Sequence, residues 1–185
     1  MTPAASEVRL RDGRVALLRG AEPEDAPQLV AFLRTLARES WRKLGNPPSH
    51  FDALTDQAEA AVIANYARAP RGFLLSAWVA EEAVGTLTLS ARPQKLNAHC
   101  ADLGMGILCK VHRQGLGAAL VRHALAEGER VGLWNVSLRV RAHNAPAIAL
   151  YESQGFIRIG TLRAVAEIDG AFEDEHVYQR IARER

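Results

Sequence analysis

Val111-His112-Arg113-Gln114-Gly115-Leu116-Gly117-Ala118-Ala119-Leu120 reads as the end of a strand that passes through two glycines into an amphipathic helix. The first turn of a helix has unpaired N–H groups and partial positive charge, and glycines let anionic oxygens approach them. Arg113 adds a cation able to make two parallel hydrogen bonds. The segment therefore suits a pyrophosphate. A Gly-x-Gly at a helix start also serves close packing of helix on strand, so by itself the segment leaves both readings open. No Gly-Lys-Ser/Thr follows, which excludes a Walker loop. A dinucleotide fold is disfavoured by the missing third glycine and by the position of the segment far from the first strand.

Upstream, a hairpin over residues 8–10 and 15–18 turns at Asp12-Gly13. Glu22-Pro23-Glu24-Asp25 opens a first helix, with Leu29, Val30, Leu33, Leu36 and Ala37 at helical spacing. Gly45-Asn46-Pro47-Pro48 breaks it, and a second helix is expected over 52–69, stopped by Pro70 and Gly72. Strands follow at 73–80 and 84–91 around a turn at Glu81-Glu82, then at 98–108. Gly104 and Gly106 weaken that last strand unless another backbone or a ligand must come close. Downstream lie a helix over 115–131, a strand over 135–141, a helix over 145–154 closed by Gly155, and strands over 156–166 and 172–181. This order predicts an α/β domain spanning 1–185: a mixed, mostly antiparallel central sheet of about seven strands, with the opening hairpin counted once, flanked by about four helices.

The second informative segment is Asn144-Ala145-Pro146-Ala147-Ile148-Ala149-Leu150-Tyr151-Glu152-Ser153-Gln154-Gly155-Phe156. Asn144 suits an N-cap, Pro146 is tolerated in a first turn, and Tyr151 falls about two turns later on the same side. Together the two segments resemble the GCN5-related N-acetyltransferase superfamily: its Gln/Arg-x-x-Gly-x-Gly/Ala loop, with His112 in the usual Gln/Arg place, and its Asn-x-x-Ala-x-x-Leu-Tyr-x-x-x-Gly-Phe helix. The resemblance, closest to the ribosomal-protein and small-amine branch, spans about 81–178. The first seventy or so residues match it only in element order.

The resemblance implies acetyl-CoA as acyl donor, a primary amine of a small molecule, peptide or protein as acceptor, and no metal. It implies that Ile107, Leu108 and Cys109 offer backbone amides to the pantetheine arm, and that His112, Arg113, Gln114, Gly115, Leu116, Gly117 and Ala118 hold the pyrophosphate. Asn144 and Tyr151 complete the donor site, with Tyr151 as general acid near the sulfur. Acyl transfer to an amine also needs an acceptor for the amine proton. Asp102, or His99 through water, is the candidate, against the alternative that Asp102 is a solvated or salt-bridged aspartate. A different class, a catalytically silent acyl-CoA sensor, is disfavoured by the presence of Tyr151. The closing hairpin turns at Asp169-Gly170, and its Asp174, Glu175 and His176 read either as edge-strand charges or as the lining of an acceptor groove.

Composition is consistent with this reading. An apolar share of 48% and a charged share of 24% are those of a globular chain, which argues against disorder. A net charge of +2 from 23 basic and 21 acidic residues, interleaved along the chain, gives no basic stripe for nucleic acid. Cys100 and Cys109 lack zinc spacing and read as reduced structural residues on or beside a buried strand. The amino terminus lacks a secretory apolar core, and no apolar run approaches the roughly 20 residues that cross a bilayer. A cytoplasmic enzyme without a membrane partner is expected, with a homodimer possible because the terminal strands offer edges.

Overall fold

The computed structural model describes residues 2–182, in which eight strands and five α-helices form one open sheet with helices on both faces. The strands are β1 (Ser6–Arg9), β2 (Val15–Gly20), β3 (Phe73–Val79), β4 (Glu82–Ala91), β5 (Cys100–Ile107), β6 (Asn135–Arg141), β7 (Ile157–Ile168) and β8 (Ala171–Ile181). The helices are α1 (Ala26–Ser40), α2 (Pro48–Asp52), α3 (Asp56–Arg68), α4 (Leu116–Arg130) and α5 (Ala145–Ser153). The sheet runs β1-β2-β3-β4-β5-β6-β8-β7, and every neighbouring pair is antiparallel except β5–β6. The expected α/β class and mostly antiparallel sheet are therefore found. Counting the opening hairpin as two strands gives eight.

Three expectations are corrected. The helix expected over 52–69 is split: α2 begins with Pro48 in its first turn and ends at Asp52, and α3 restarts after Thr55, whose side chain accepts from Ala58 N at 3.2 Å. A Thr followed by Asp56 and Glu59 in the first turn is a helix start, and that capping contact outweighs the continuous alanine-rich pattern. The β3–β4 turn sits on Ala80 and Glu81, not Glu81 and Glu82; both have positive φ, 47° and 65°, as a two-residue hairpin turn requires. Third, β5 starts at Cys100, because residues 95–97 form a single tight turn.

Two apolar clusters hold the layers together. On one face, Leu116, Leu120, Val121 and Ala124 of α4 pack on Leu75, Leu87, Leu89, Leu103, Val136 and Leu138 of the sheet. On the other, Leu29, Phe32 and Leu36 of α1 and Ile63 of α3 pack on Leu74, Trp78 and Leu108. Full burial of a side chain of this size contributes about 1.5–3 kcal/mol. Gly106 is explained here: a Cβ added to it would lie 2.3 Å from Leu36 Cδ2, so α1 can rest on β5 only where the strand has no side chain.

Candidate acyl-donor site

The site lies where the sheet splits. Strands β4 and β5 stay paired from Ala91↔Ala101 to Gly85↔Ile107, whereas the parallel pairing of β5 with β6 ends at Asp102↔Ser137. Beyond Asp102 a gap opens between β5 and β6. Along a strand, successive residues turn their N–H and C=O groups to opposite neighbours. Cys100 O accepts from Arg92 N and Leu108 N donates to Val84 O, both at 3.0 Å, so even-numbered residues serve the β4 side. His99 O accepts from Trp134 N and Asn135 N at 3.2 Å, so odd-numbered residues turn towards β6. Met105 and Ile107 thus direct their backbone groups into the gap.

This corrects the expectation that residues 107–109 all offer amides. The Ile107 N–H turns towards the gap, but Leu108 N is bound to Val84 O and Cys109 N donates to Glu39 Oε2 at 2.8 Å. Met105, whose backbone groups turn the same way, is a candidate that sequence reasoning missed. Strict alternation from Ile107 would have found it, had the β4-facing parity been known.

The glycine loop is built as an anion cradle. Arg113 has φ 60° and Gly115 φ 89°, and the N–H groups of residues 113–118 have no acceptor among the described residues. Two of their carbonyls are held from behind, Arg11 N donating to Gln114 O at 3.2 Å and Arg11 Nη1 to Arg113 O at 3.5 Å, and just upstream Arg14 Nη2 donates to Lys110 O at 3.3 Å. The β1–β2 turn therefore fixes which way the loop faces. A Cβ added to Gly115 would meet nothing within 4 Å, so open space stands beside the cradle. Gly117 differs, since its added Cβ would lie 3.0 Å from Leu150 Cδ2 and 3.3 Å from Ile107 Cδ1. Both readings of Gly-x-Gly are thus realised: residues 113–118 present free amides, and Gly117 lets α4 pack against β5 and α5. His112 is tied to the strand end, with Nε2 2.9 Å from Ile107 O.

That contact also places α5 at the head of α4. Tyr151, one residue after Leu150, is 6% exposed and packs edge-on against Phe156 at 5.9 Å between ring centroids. Burial pushes its hydroxyl up to about 12, and no hydrogen bond joins it to a described residue. It stays protonated at neutral pH. Asn144 occupies the N-cap position, but its side chain does not cap; the helix start is held by its carbonyl, which accepts from Ala147 N and Ile148 N at 3.1 Å. The expected side-chain cap is corrected accordingly, and the Asn144 side chain is left to other partners. Free N–H donors at a helix start beside a gap fit a polyanionic thioester such as acetyl-CoA. Among the described residues there is no metal-binding cluster.

Asp102 lies elsewhere. It sits five residues before Ile107, roughly 16 Å along the strand, on the face of α1 and α3, and pairs with Arg92 at 3.1 Å. His99 stacks on Trp134 at 4.3 Å between ring centroids. The hairpin charges do not line one groove, because alternation along β8 separates them. Glu175 pairs with buried Arg141 at 3.1 Å on the α1 face. On the other face, Asp174 Oδ1 accepts from Ala164 N at 2.9 Å in a bulge of β7, and His176 Nδ1 lies 3.0 Å from Thr161 Oγ1. Cys109, expected as a reduced structural residue on or beside a buried strand, is free and lies just past β5 with its side chain exposed, and partial desolvation with the adjacent Glu39 carboxylate raises its thiol above the usual range. Cys100 is half-buried and also free.

Comparison with known proteins agrees with this geometry. A family model described as acetyltransferase (GNAT) family matches residues 30–156. The ribosomal protein bS18-alanine N-acetyltransferase of Escherichia coli K12 is 59% identical over 44 residues, which is 24% of this chain and 30% of that enzyme. The match thus spans less than a third of that relative's length. The structure of a GNAT-family acetyltransferase from Streptococcus pneumoniae superposes with TM-score 0.84 and 27% identity, covering 90% of this chain and 98% of that one. A Salmonella typhimurium acetyltransferase determined with acetyl-CoA has TM-score 0.80 at 16% identity, covering 92% and 95% of the two chains, a likeness of fold.

Proposed function

This chain belongs to the acetyltransferase (GNAT) family, and from that premise we propose that it moves the acetyl group of acetyl-CoA directly to a primary amine of a small molecule or peptide. One observation supports the proposal: the N–H groups of residues 113–118, without acceptors among the described residues, stand at the head of α4, where Gly117 meets Ile107 at the edge of the gap and Leu150, the neighbour of Tyr151 in the chain. Acetyl-CoA, when bound, supplies an activated acyl group on a thioester. Arg113, Gln114, Gly115, Leu116, Gly117 and Ala118 form the cradle for its pyrophosphate, through backbone N–H groups and the Arg113 guanidinium, whereas His112, whose N–H donates to Cys109 O at 3.0 Å, braces the loop from the strand end. The Ile107 and Met105 amides orient the arm along the strand edge, and Asn144 lies at the start of the covering helix. Leu108 and Cys109 shape the strand end through their side chains.

Tyr151 holds its proton at Oη in a buried setting, ready for the sulfur that must leave. On this reading the amine approaches from the α1 face of the sheet, on which Asp102 lies, and Asp102 takes the amine proton through water. The Arg92 pair keeps it anchored there.

The whole chain, 1–185, works as one domain on this reading, since one sheet builds both faces of the gap. We also place it in the cytoplasm, without nucleic-acid or membrane partners; among the described residues no helix is long and apolar enough to cross a membrane. Homodimerisation through the edge strand β7 is part of the same proposal, supported by Ile157, Ile159 and Phe172, exposed at 65%, 53% and 70% on the closing hairpin. Light scattering at micromolar concentration should give twice the chain mass, and a monomer mass would remove the dimer.

The test of the activity is thiol release from acetyl-CoA with a panel of amines, beside thermal shift with CoA. Turnover with any acceptor class establishes the transferase. Stabilisation by CoA without turnover favours a silent sensor, and absence of stabilisation overturns the donor site.

A further inference from the structure

The acceptor side of the gap carries an unmatched charge. Residues Ser137, Arg139 and Arg141 of β6 share the face of Asp102, as the register Asp102↔Ser137 requires, and Ser90↔Asp102 identifies it as the face on which Tyr66 of α3 meets Ser90 at 2.8 Å. The intervening Val136, Leu138 and Val140 are buried on the α4 side. On the acceptor face the charges are paired: Asp102 with Arg92, Arg141 with Glu175, and Arg42 of the 41–44 segment with Asp169 at the hairpin tip. Arg141 Nη2 also donates to Leu44 O at 3.1 Å. Arg139 alone on this face of β6 is exposed with no hydrogen-bond or ion-pair partner among the described residues.

Its surroundings leave room for a ligand. The β8 neighbour is Val177, which faces Gly160 of β7. On the other side is the gap, and continuing the parallel register two residues past Asp102↔Ser137 brings Arg139 opposite Gly104. Gly104 is exposed, and a Cβ added there would meet only Thr88 Oγ1, at 3.0 Å. The floor beside Arg139 is therefore bare on the face opposite Tyr151.

We propose that Arg139 is the acceptor anchor, and that the acceptor is an amine carrying a carboxylate or similar oxyanion a few bonds from its nitrogen, as in a free amino acid. The proposal rests on the transferase reading and narrows its acceptor class. A planar guanidinium beside the gap accepts two carboxylate oxygens side by side. Asp102, two residues back on the neighbouring strand, faces the amine end of such a molecule. A polyamine or cationic aminoglycoside would instead bring a second positive charge to Arg139.

The test measures thiol release with free L-amino acids, each beside its carboxamide, and with spermidine and kanamycin. The acids should be preferred over their amides by about 10- to 100-fold in kcat/KM, the range of a hydrogen bond to a charged group. In Arg139→Gln that preference should collapse, with the loss appearing in KM for the acids, and Arg139→Lys should restore part of it. Because Arg139 is exposed and holds no hydrogen bond or ion pair among the described residues, the CoA thermal shift should be kept in both variants. Amides or cationic amines used as well as the acids, or a preference that survives in Arg139→Gln, would overturn the anchor while leaving the transferase intact. Failure of every amine to release thiol would instead sink the transferase reading. The anchor is then decided by thermal shift of the CoA-loaded protein: stabilisation by the acids but not their amides, lost in Arg139→Gln, upholds it, and equal shifts refute it.

Discussion

Replacing Tyr151 by phenylalanine removes one oxygen and little else. The hydroxyl bonds to no described residue and the ring keeps its contact with Phe156, so stability should change by less than about 0.5 kcal/mol. The rate effect follows from the proton. With the hydroxyl pushed up to about 12 and an ordinary thiol near 8.5, complete transfer to a departing thiolate is uphill by about 3.5 in pKa, or about 5 kcal/mol. Tyr151 then acts mainly by donating a hydrogen bond to the developing charge, a contribution of about 1.5–3 kcal/mol. The Tyr151→Phe variant should lose about 10- to 150-fold in kcat, at the low end of general-acid effects, with CoA affinity unchanged. Because the proton is retained throughout the working range, the two pH–rate profiles should run parallel below about pH 10. Steady-state thiol release over pH and calorimetry with CoA check both statements. A wild-type kcat would show that Oη does not face the sulfur, and a loss beyond about 10³-fold would show that full proton transfer occurs and that the hydroxyl is far more acidic in the complex.

Gly117→Ala puts a methyl 3.0 Å from Leu150 Cδ2 and 3.3 Å from Ile107 Cδ1, wedging α4 from the gap. The CoA thermal shift should fall sharply while the apo protein loses about 1–3 kcal/mol by denaturant titration, and unchanged CoA affinity would contradict the cradle. Glu59, buried on α3, has its carboxyl raised by burial alone. A folded pKa above the unfolded one means that the native state binds the extra proton, so stability falls as pH rises from the unfolded value through the folded one. Glu59→Gln should therefore raise Tm by about 1–3 °C at pH 7 and by nothing below about pH 4 in a calorimetric scan; a gain that persists in acid would point to packing rather than charge.

Most of the fold was legible because its signals are local. The strand at 135–141 is found without a change of bounds, Asp169 and Gly170 adopt the positive φ that a tight hairpin turn needs, and α5 with Tyr151 lies where its spacing puts it. The split between α2 and α3 was present in Thr55 and Pro48 but was outvoted by a run of good helix formers. The cradle at 113–118 was legible as a motif, whereas the structural reason for each glycine was not. Gly106 answers to Leu36, seventy residues away in the chain, and Gly117 to Leu150.

By itself the sequence determined the element order, the family resemblance, the anion loop and the tyrosine helix, since each depends on residues within one or two turns of one another. Only the tertiary structure decided which β5 amides face the gap, because that parity is set by pairing with β4 and β6 and reverses with a one-residue change of register. It also decided that Glu39 takes the Cys109 amide, that Glu175 and Asp174 serve opposite faces, and that Arg139 has no hydrogen-bond or ion-pair partner among the described residues. A charge is free or matched according to what the folded chain brings near it, and for these residues the neighbours come from strands and helices distant in sequence.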